Sequence, residues 1–86
     1  MWFVYILLCK DKSLYTGVTN NLEKRLIEHK KGKGGRYTRS HKVVKLIYQE
    51  RLSSHSHALK REAEIKKWSR AKKIKTFHFE IDKNFA

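Results

Sequence analysis

The feature that most constrains the fold is an uninterrupted run of eight apolar residues, Trp2–Cys9, in a chain of only 86 residues. Its β-branched and aromatic side chains favour a strand. Because apolar and polar residues do not alternate, both faces of this strand should be buried. Eight residues are too few to cross a bilayer, and neither a basic segment nor a small-residue cleavage site accompanies them. The run therefore predicts the central strand of a small sheet.

A turn, a second strand and a helix are expected to follow this run. Residues 10–13 are polar and predict a turn, so residues 14–19 should form a hairpin with the first strand. Residues 19–21 offer N-cap side chains for a helix over residues 22–31, where apolar residues recur at helical spacing. Gly32 is a natural end for that helix.

The second half of the chain predicts one more strand and further helical segments. The basic segment 33–42 lacks clear periodicity and predicts a flexible loop, and residues 43–48 predict the third strand. Polar residues 53–56 should cap a helix over residues 57–69. Residues 70–76 are expected to form a short further helix or a continuation of that one.

The element order β-β-α-β-α-α predicts an α+β domain with a small three-stranded antiparallel sheet flanked by helices. We expect this domain to span residues 1–76. Residues 77–81 alternate apolar and polar side chains, so the segment 77–86 is expected to be a C-terminal tail or an extra strand. A domain of this size buries only roughly 60% of its unfolded surface, so any chemistry should lie on an open face.

The net charge of +13, from 21 Lys plus Arg against 8 Asp plus Glu, indicates the kind of partner. Such an excess repels itself, and solubility needs a net charge of only about 2–8 in a small domain. Nucleic acid is therefore the expected partner, with an anionic membrane surface as the second choice. Aromatic residues make up 12% of the chain, which excludes a disordered basic tail.

The single cysteine, Cys9, excludes an internal disulfide and a cysteine-based zinc site. Because it lies in the apolar run, we expect a buried structural thiol. Lack of disulfides and of a membrane segment predicts a cytoplasmic location. His55 and His57 have no further ligands spaced for zinc and are expected to serve in helix capping or at the surface.

Three side chains that could take part in catalysis recur at intervals of ten residues. They are Tyr5 on the first predicted strand, Tyr15 on the second and Arg25 on the first predicted helix. Gly17, two residues after the second tyrosine, would let a ligand approach the backbone closely. His29 follows Arg25 by four residues and shares its helix face.

These residues resemble the motifs of the GIY-YIG endonuclease superfamily, in particular its small single-domain bacterial (UPF0213-like) members. The two name-giving tripeptides correspond to Phe3-Val4-Tyr5 and Tyr15-Thr16-Gly17. The resemblance covers roughly residues 2–75, and the joint order and spacing of the motifs is more specific than any one of them. The remaining matching features are Asn21-Leu22, Arg25, the basic glycine-rich stretch, the third strand, and the segments 58–62 and 66–73.

The resemblance implies a phosphodiesterase that uses one divalent ion, Mg²⁺ or Mn²⁺, bound by a helix glutamate that corresponds to Glu62. It also implies that Tyr5, Tyr15 and Arg25 surround the scissile phosphate, with His29 at a position that is Tyr or His in many members. Arg25 can contact two phosphate oxygens, and a tyrosine or His29 can accept the proton of the attacking water. The general base stays open among Tyr5, Tyr15 and His29.

The position of Glu62 is unusual for a carboxylate even without the family. Ala58, Leu59 and Ile65 lie three or four residues from it and form the apolar stripe of the predicted helix. A carboxylate in that stripe needs a metal or an ion pair, for which Arg25 is the alternative partner. Glu64, by contrast, is expected to be an ordinary surface ion-pair partner.

The sequence departs from the family pattern at three positions. Phe3 replaces the first glycine, and Thr16 replaces an isoleucine. Val18 occupies a position that is lysine in some relatives, which removes a candidate phosphate contact.

Basic residues outside the motif are expected to follow a phosphate backbone rather than to read bases. Trp68 falls three residues after Ile65 and should pack in the core rather than stack on a base. The residues expected to bind nucleic acid are Lys33, Arg36, Arg39, Arg61, Lys66, Lys67, Arg70, Lys72 and Lys73.

Two functions follow from these observations. The first is a metal-dependent DNA endonuclease, selective for structure rather than sequence, with a role in repair or recombination and a nucleoid-associated location. Because no targeting domain is apparent, its specificity would be broad or supplied by a partner protein. The second is a non-catalytic basic module that binds DNA or RNA and keeps the fold.

Overall fold

A computed structural model describes residues 1–77 of the chain. It confirms the α+β class and the three-stranded antiparallel sheet. The sheet order is β2-β1-β3, so the apolar run forms the central strand, as predicted. The elements are β1 (Trp2–Cys9), β2 (Leu14–Thr19), α1 (Leu22–Lys30), α2 (Arg36–His41), β3 (Val43–Leu52), α3 (His55–Lys66) and α4 (Arg70–Phe77).

The two faces of β1 are covered by different helices. Val4 and Ile6 form the core with Ala58 and Ile65 of α3. Side chains alternate across a strand, so Tyr5 faces the other side, where its partner comes from α1. This double cover explains why β1 is apolar at nearly every position. Cys9 lies at the end of the strand and is fully buried, as predicted.

Helix boundaries follow the capping residues expected from the sequence. The Asn21 side chain accepts a hydrogen bond from the backbone of Lys24 at the start of α1. Gly32 follows the helix with φ of +78°, a left-handed conformation that glycine adopts without a Cβ penalty. At α3, Ser54 accepts a hydrogen bond from the backbone of His57.

The prediction of a loop over residues 33–42 is wrong in part, because residues 36–41 form the short helix α2. Six residues are too few to display a helical period, and the N-cap Gly35 has no side chain with which to mark the start. The helix is instead fixed by a tertiary contact, since Thr38 is buried and bonded to α1. Such a tertiary contact cannot be predicted from sequence periodicity.

The remaining differences lie at element ends. Strand β3 continues to Leu52, four residues past its predicted end, and α3 begins at His55 and ends at Lys66, earlier than expected at both ends. Phe77 completes α4 instead of starting a tail or strand. The rest of the segment predicted as a tail or strand, residues 78–86, lies outside the described residues. Within the described part of the chain, no helix is long and apolar enough to span a membrane.

The core between β1 and α3 gives a first prediction. Ile65 is fully buried, whereas Leu59 on the same helix is 45% exposed. Ile65→Ala should lower the free energy of unfolding by about 2–5 kcal/mol because it leaves a cavity against β1. Leu59→Ala is the matched control and should cost about 1 kcal/mol or less. Urea denaturation measures both values, and equal losses would contradict the described packing.

Candidate active site

A chain of two hydrogen bonds lies at the centre of the face covered by α1 and α2. The hydroxyl oxygen of Tyr5 is 2.7 Å from Nε2 of His29, and Nδ1 of His29 is 2.7 Å from Oγ1 of Thr38. All three side chains are at most 1% exposed. The sheet, α1 and α2 each contribute one member, so the chain of bonds joins three elements.

Two glycines make room for these rings. Gly17 lies directly across the hairpin from Tyr5, and a Cβ there would come within 2.5 Å of the tyrosine Oη and Cζ atoms. A Cβ at Gly34 would collide with the His29 ring. The glycine of the second motif is therefore required by the tyrosine of the first motif, because the phenol ring packs against its backbone.

Tyr15 lies at the open side of this group. Its ring centroid is 5.3 Å from that of His29, 6.3 Å from that of Tyr5 and 5.6 Å from that of Tyr37 on α2. Tyr15 is half-buried, whereas Tyr5 is only 1% exposed. The two strand tyrosines therefore differ in access to a ligand.

Arg25 is oriented by the loop that precedes α2. Its Nη2 atom donates to the carbonyl oxygen of Gly34 at 2.9 Å, and its Nη1 atom is 3.9 Å from Glu28. The positive charge of the guanidinium also favours the ionised form of Tyr5 and so acts to lower the pKa of that phenol. The structure thus brings Tyr5, Tyr15, Arg25 and His29 together, and we refer to these four residues as the tyrosine–histidine cluster.

Burial sets the protonation of the cluster. It raises the pKa of Tyr5 to about 12, against the opposing effect of Arg25. Burial and the nearby charge of Arg25 lower the pKa of His29 to about 4. At neutral pH Tyr5 is therefore a protonated phenol and His29 is a neutral imidazole.

Glu62 approaches from α3, the helix on the other face of the sheet. Its side chain is only 20% exposed, and its Oε2 atom is 3.6 Å from the ammonium of Lys66. Its negative charge is the smallest of the effects that raise the pKa of Tyr5, after burial and the neighbouring Tyr15. The alternative ion pair with Arg25 does not form among the described residues, because Arg25 pairs with Glu28.

Several basic residues expected to meet nucleic acid already have structural contacts. Arg61 binds Glu50 at 3.0 Å and Glu64 at 2.8 Å and lies over the Trp68 ring, which packs on the core as predicted. Glu64 is thus the surface ion-pair partner predicted for it. Arg70 donates to the carbonyl of Lys12. The exposed basic candidates are Lys33, Arg36, Arg39, Lys66, Lys67, Arg70 and Lys72, whereas Arg61 and Lys73 are half-buried.

Sequence reasoning missed four residues that build the site. Gly34 and Thr38 hold the His29 ring, Tyr37 packs on Tyr15, and His41 stacks on Tyr37 while it pairs with Asp11. All four belong to the segment expected to be a loop, where only the glycine-rich composition gave a signal.

A comparison with known proteins identifies the family of this domain. The family described as the GIY-YIG catalytic domain matches residues 1–75. The chain belongs to the GIY-YIG family, as its motifs predict, and this membership indicates a nuclease-type domain.

Within that family the chain is similar to the small UPF0213 proteins. It is 52% identical over 73 residues to a UPF0213 protein of Staphylococcus saprophyticus, a match that covers 85% of this chain and 89% of that protein. A UPF0213 protein of Syntrophus aciditrophicus is 59% identical over 73 residues, which is 84% of each chain. The solution NMR structure of a UPF0213 protein from Bacillus halodurans superposes with a TM-score of 0.58 at 39% identity, covering 91% of this chain and 84% of that one.

The bond between His29 and Thr38 gives a second prediction. Thr38→Val keeps the side-chain shape but leaves the buried Nδ1 of His29 without a partner, which should cost about 1–3 kcal/mol of unfolding free energy. Thr38→Ser retains the hydroxyl and should cost about 1 kcal/mol or less. Chemical denaturation compares the two variants. Equal stability of the valine and serine variants would show that the bond contributes nothing.

The lowered pKa of His29 gives a third prediction. The His29 side chain binds a proton near pH 6.5 in the unfolded state and only near pH 4 in the folded state. Its contribution to the free energy of unfolding is therefore fully present above about pH 6.5 and is lost as the pH falls to about 4. The loss should total about 3 kcal/mol. The carboxyl of Asp11, whose hydrogen bonds lower its pKa to about 2, titrates below this window.

Urea denaturation between pH 7 and pH 4 tests this dependence. His29→Gln should flatten the stability profile over that window. The exposed His57 supplies the control, since His57→Gln should keep the slope of the parent protein. A slope that survives in His29→Gln would assign the effect to another group.

Proposed function

We propose that the chain is a metal-dependent DNA endonuclease that hydrolyses phosphodiester bonds. The observation that carries this proposal is the tyrosine–histidine cluster, in which two tyrosines, a histidine and an arginine from three elements converge. The largely buried carboxylate of Glu62 acts electrostatically on the same group. We infer that the scissile phosphate binds along β2, the edge strand that carries Tyr15 and contacts α3.

The donor set fits a hard divalent cation held by few protein ligands. Among the described residues, no group of three or more acidic, histidine or cysteine side chains forms a metal cage. Mg²⁺ commonly binds through one or two carboxylates and keeps several waters and substrate oxygens, which suits a single Glu62. When bound, such an ion would neutralise charge on the phosphate and on the leaving oxygen.

Within the cluster, we assign proton transfer to Tyr5 and His29 acting together. The phenol of Tyr5 stays protonated and can donate to Nε2 of the neutral His29. In the proposed transfer, His29 accepts the phenol proton at that nitrogen while the Tyr5 oxygen takes a proton from the attacking water, so the phenol is restored. The negative charge of a bound phosphate would favour the protonated form of His29. Tyr15, at the open side, would contact the phosphate or the attacking water.

Arg25 supplies the fixed positive charge of the proposed site. Its bond to the Gly34 carbonyl orients the guanidinium before substrate binds, so less ordering is needed on binding. The exposed basic residues of α2 and of α3 to α4 would contact flanking phosphates without reading bases. We infer selectivity for the structure of DNA, either broad or directed by a partner protein, in repair or recombination at the nucleoid of the cytoplasm.

A non-catalytic module that binds DNA or RNA is the second candidate. It is favoured by the ammonium of Lys66, which already pairs with the carboxylate that would bind the metal. The departures from the family motifs at Phe3, Thr16 and Val18 point in the same direction. In that case the cluster would be structural, and Arg25 would bind phosphate without cleavage.

Cleavage of nicked, forked and single-stranded DNA with Mg²⁺ or Mn²⁺ gives the fourth prediction. Glu62→Gln should slow cleavage by about 100-fold or more, which corresponds to about 3 kcal/mol of transition-state stabilisation. Binding of the same DNA should persist, because the substitution removes a negative charge.

The chain offers a matched control two residues along the same helix. Glu64→Gln removes an equal charge from an exposed ion pair and should leave cleavage unchanged. Salt-sensitive binding to every substrate with no metal-dependent cleavage of any would reject the nuclease and establish the binding module.

A further inference from the structure

An open cavity lies beside His29, and Tyr5 is not among the residues that line it. It encloses about 520 Å³ between the hairpin turn, the end of α1, α2 and the start of β3. His29 and Thr38 form part of its wall. Its five basic lining residues, which we call the basic pocket, are Lys10, Lys30, Lys31, Arg39 and Lys42.

The charge of the basic pocket is unbalanced. None of the described residues that line it is acidic. The carboxylate next to the pocket in sequence, Asp11, is engaged by Ser13 and His41. Five cations held around one concave space repel one another, so the pocket should attract an anion strongly.

Backbone conformation at Lys42 supports a ligand role. Lys42 has φ of +55°, in the left-handed region where a residue with a Cβ is disfavoured. It ends α2, and its carbonyl accepts a hydrogen bond from the backbone of Lys10 at 2.8 Å. A glycine would fit that turn with less strain, so a lysine at this position carries a local conformational cost.

We propose that the basic pocket binds a phosphate group with at least two negative charges. A single phosphodiester carries one charge, which five cations exceed, whereas a terminal phosphate monoester or a pyrophosphate matches them better. The planar guanidinium of Arg39 can donate hydrogen bonds to two phosphate oxygens at once, and the lysines act as point charges. The volume lies within the usual range for ligand sites. The ligand is either the phosphorylated end of a nucleic-acid strand or a free oligophosphate.

Phosphate binding in this pocket does not require the proposed cleavage, although the pocket shares His29 with the tyrosine–histidine cluster. A strand end bound here would lie against the back of the His29 ring, so the pocket would sense broken or processed strands. Glu62→Gln should therefore keep phosphate binding even if it abolishes cleavage, and a chain that never cleaves DNA should still bind phosphate here.

Calorimetric titration with inorganic pyrophosphate, in buffer with a chelator to exclude metals, tests the pocket directly. Lys42→Gly combined with Lys30→Gln should weaken binding by about tenfold or more, equivalent to at least one lost charge-assisted hydrogen bond. Lys24→Gln combined with Lys60→Gln removes the same charge elsewhere and should have little effect. The thermal midpoint of the pocket variant should not fall because of Lys42→Gly, since glycine relieves the backbone.

Two single-stranded oligonucleotides of the same sequence, one with a 5′-phosphate and one without, distinguish a strand end from a free oligophosphate as the ligand. Tighter binding of the phosphorylated strand that disappears in the pocket variant supports a strand end. Pyrophosphate binding without any gain from the 5′-phosphate supports a free oligophosphate. If pyrophosphate does not bind, or if both double variants weaken it equally, the proposal is overturned.

Discussion

The hydrogen bond between Tyr5 and His29 is the interaction on which the rest of the structure depends. Tyr5 brings a hydroxyl into a strand that is otherwise apolar and buried on both faces. A buried hydroxyl without a partner costs roughly 1–3 kcal/mol, so a second polar group has to be buried with it. His29 is that group, and its other nitrogen needs a partner in turn, which Thr38 provides. Each polar atom in the series is buried because the previous one was.

This requirement explains local features that otherwise look unrelated. Gly17 and Gly34 lack side chains where the rings of Tyr5 and His29 lie. Helix α2 forms around Thr38, although its sequence has no helical period and no N-cap side chain. The same arrangement leaves His29 neutral and Tyr5 protonated at neutral pH, so each group can share a hydrogen bond without carrying a buried charge. Folding and the proposed chemistry therefore depend on the same bonds.

The sequence predicted what local patterns encode. The apolar run predicted the central strand, and Asn21 and Gly32 predicted the bounds of α1 because capping needs only nearby residues. The ten-residue spacing identified Tyr5, Tyr15 and Arg25 as candidate site residues. The apolar stripe of the predicted helix distinguished Glu62 from the surface residue Glu64. Thr38 could not be found in this way, since its importance arises from a contact with α1. The basic charge likewise could not be divided between ion-paired Arg61 and the open pocket without knowledge of which elements meet.

The distribution of acidic residues clarifies what the excess charge does. Glu50 of β3 and Glu64 of α3 both pair with Arg61, Glu28 pairs with Arg25, and Asp11 pairs with His41. These pairs are partly exposed, so they contribute little net stability, and their main effect is to fix particular cations in place. The cations of the basic pocket have no such carboxylate partner among the described residues. The charge is thus divided into a part that the protein's own carboxylates neutralise and a part that lines the basic pocket, and under the proposal above only the second part would respond to a bound phosphate.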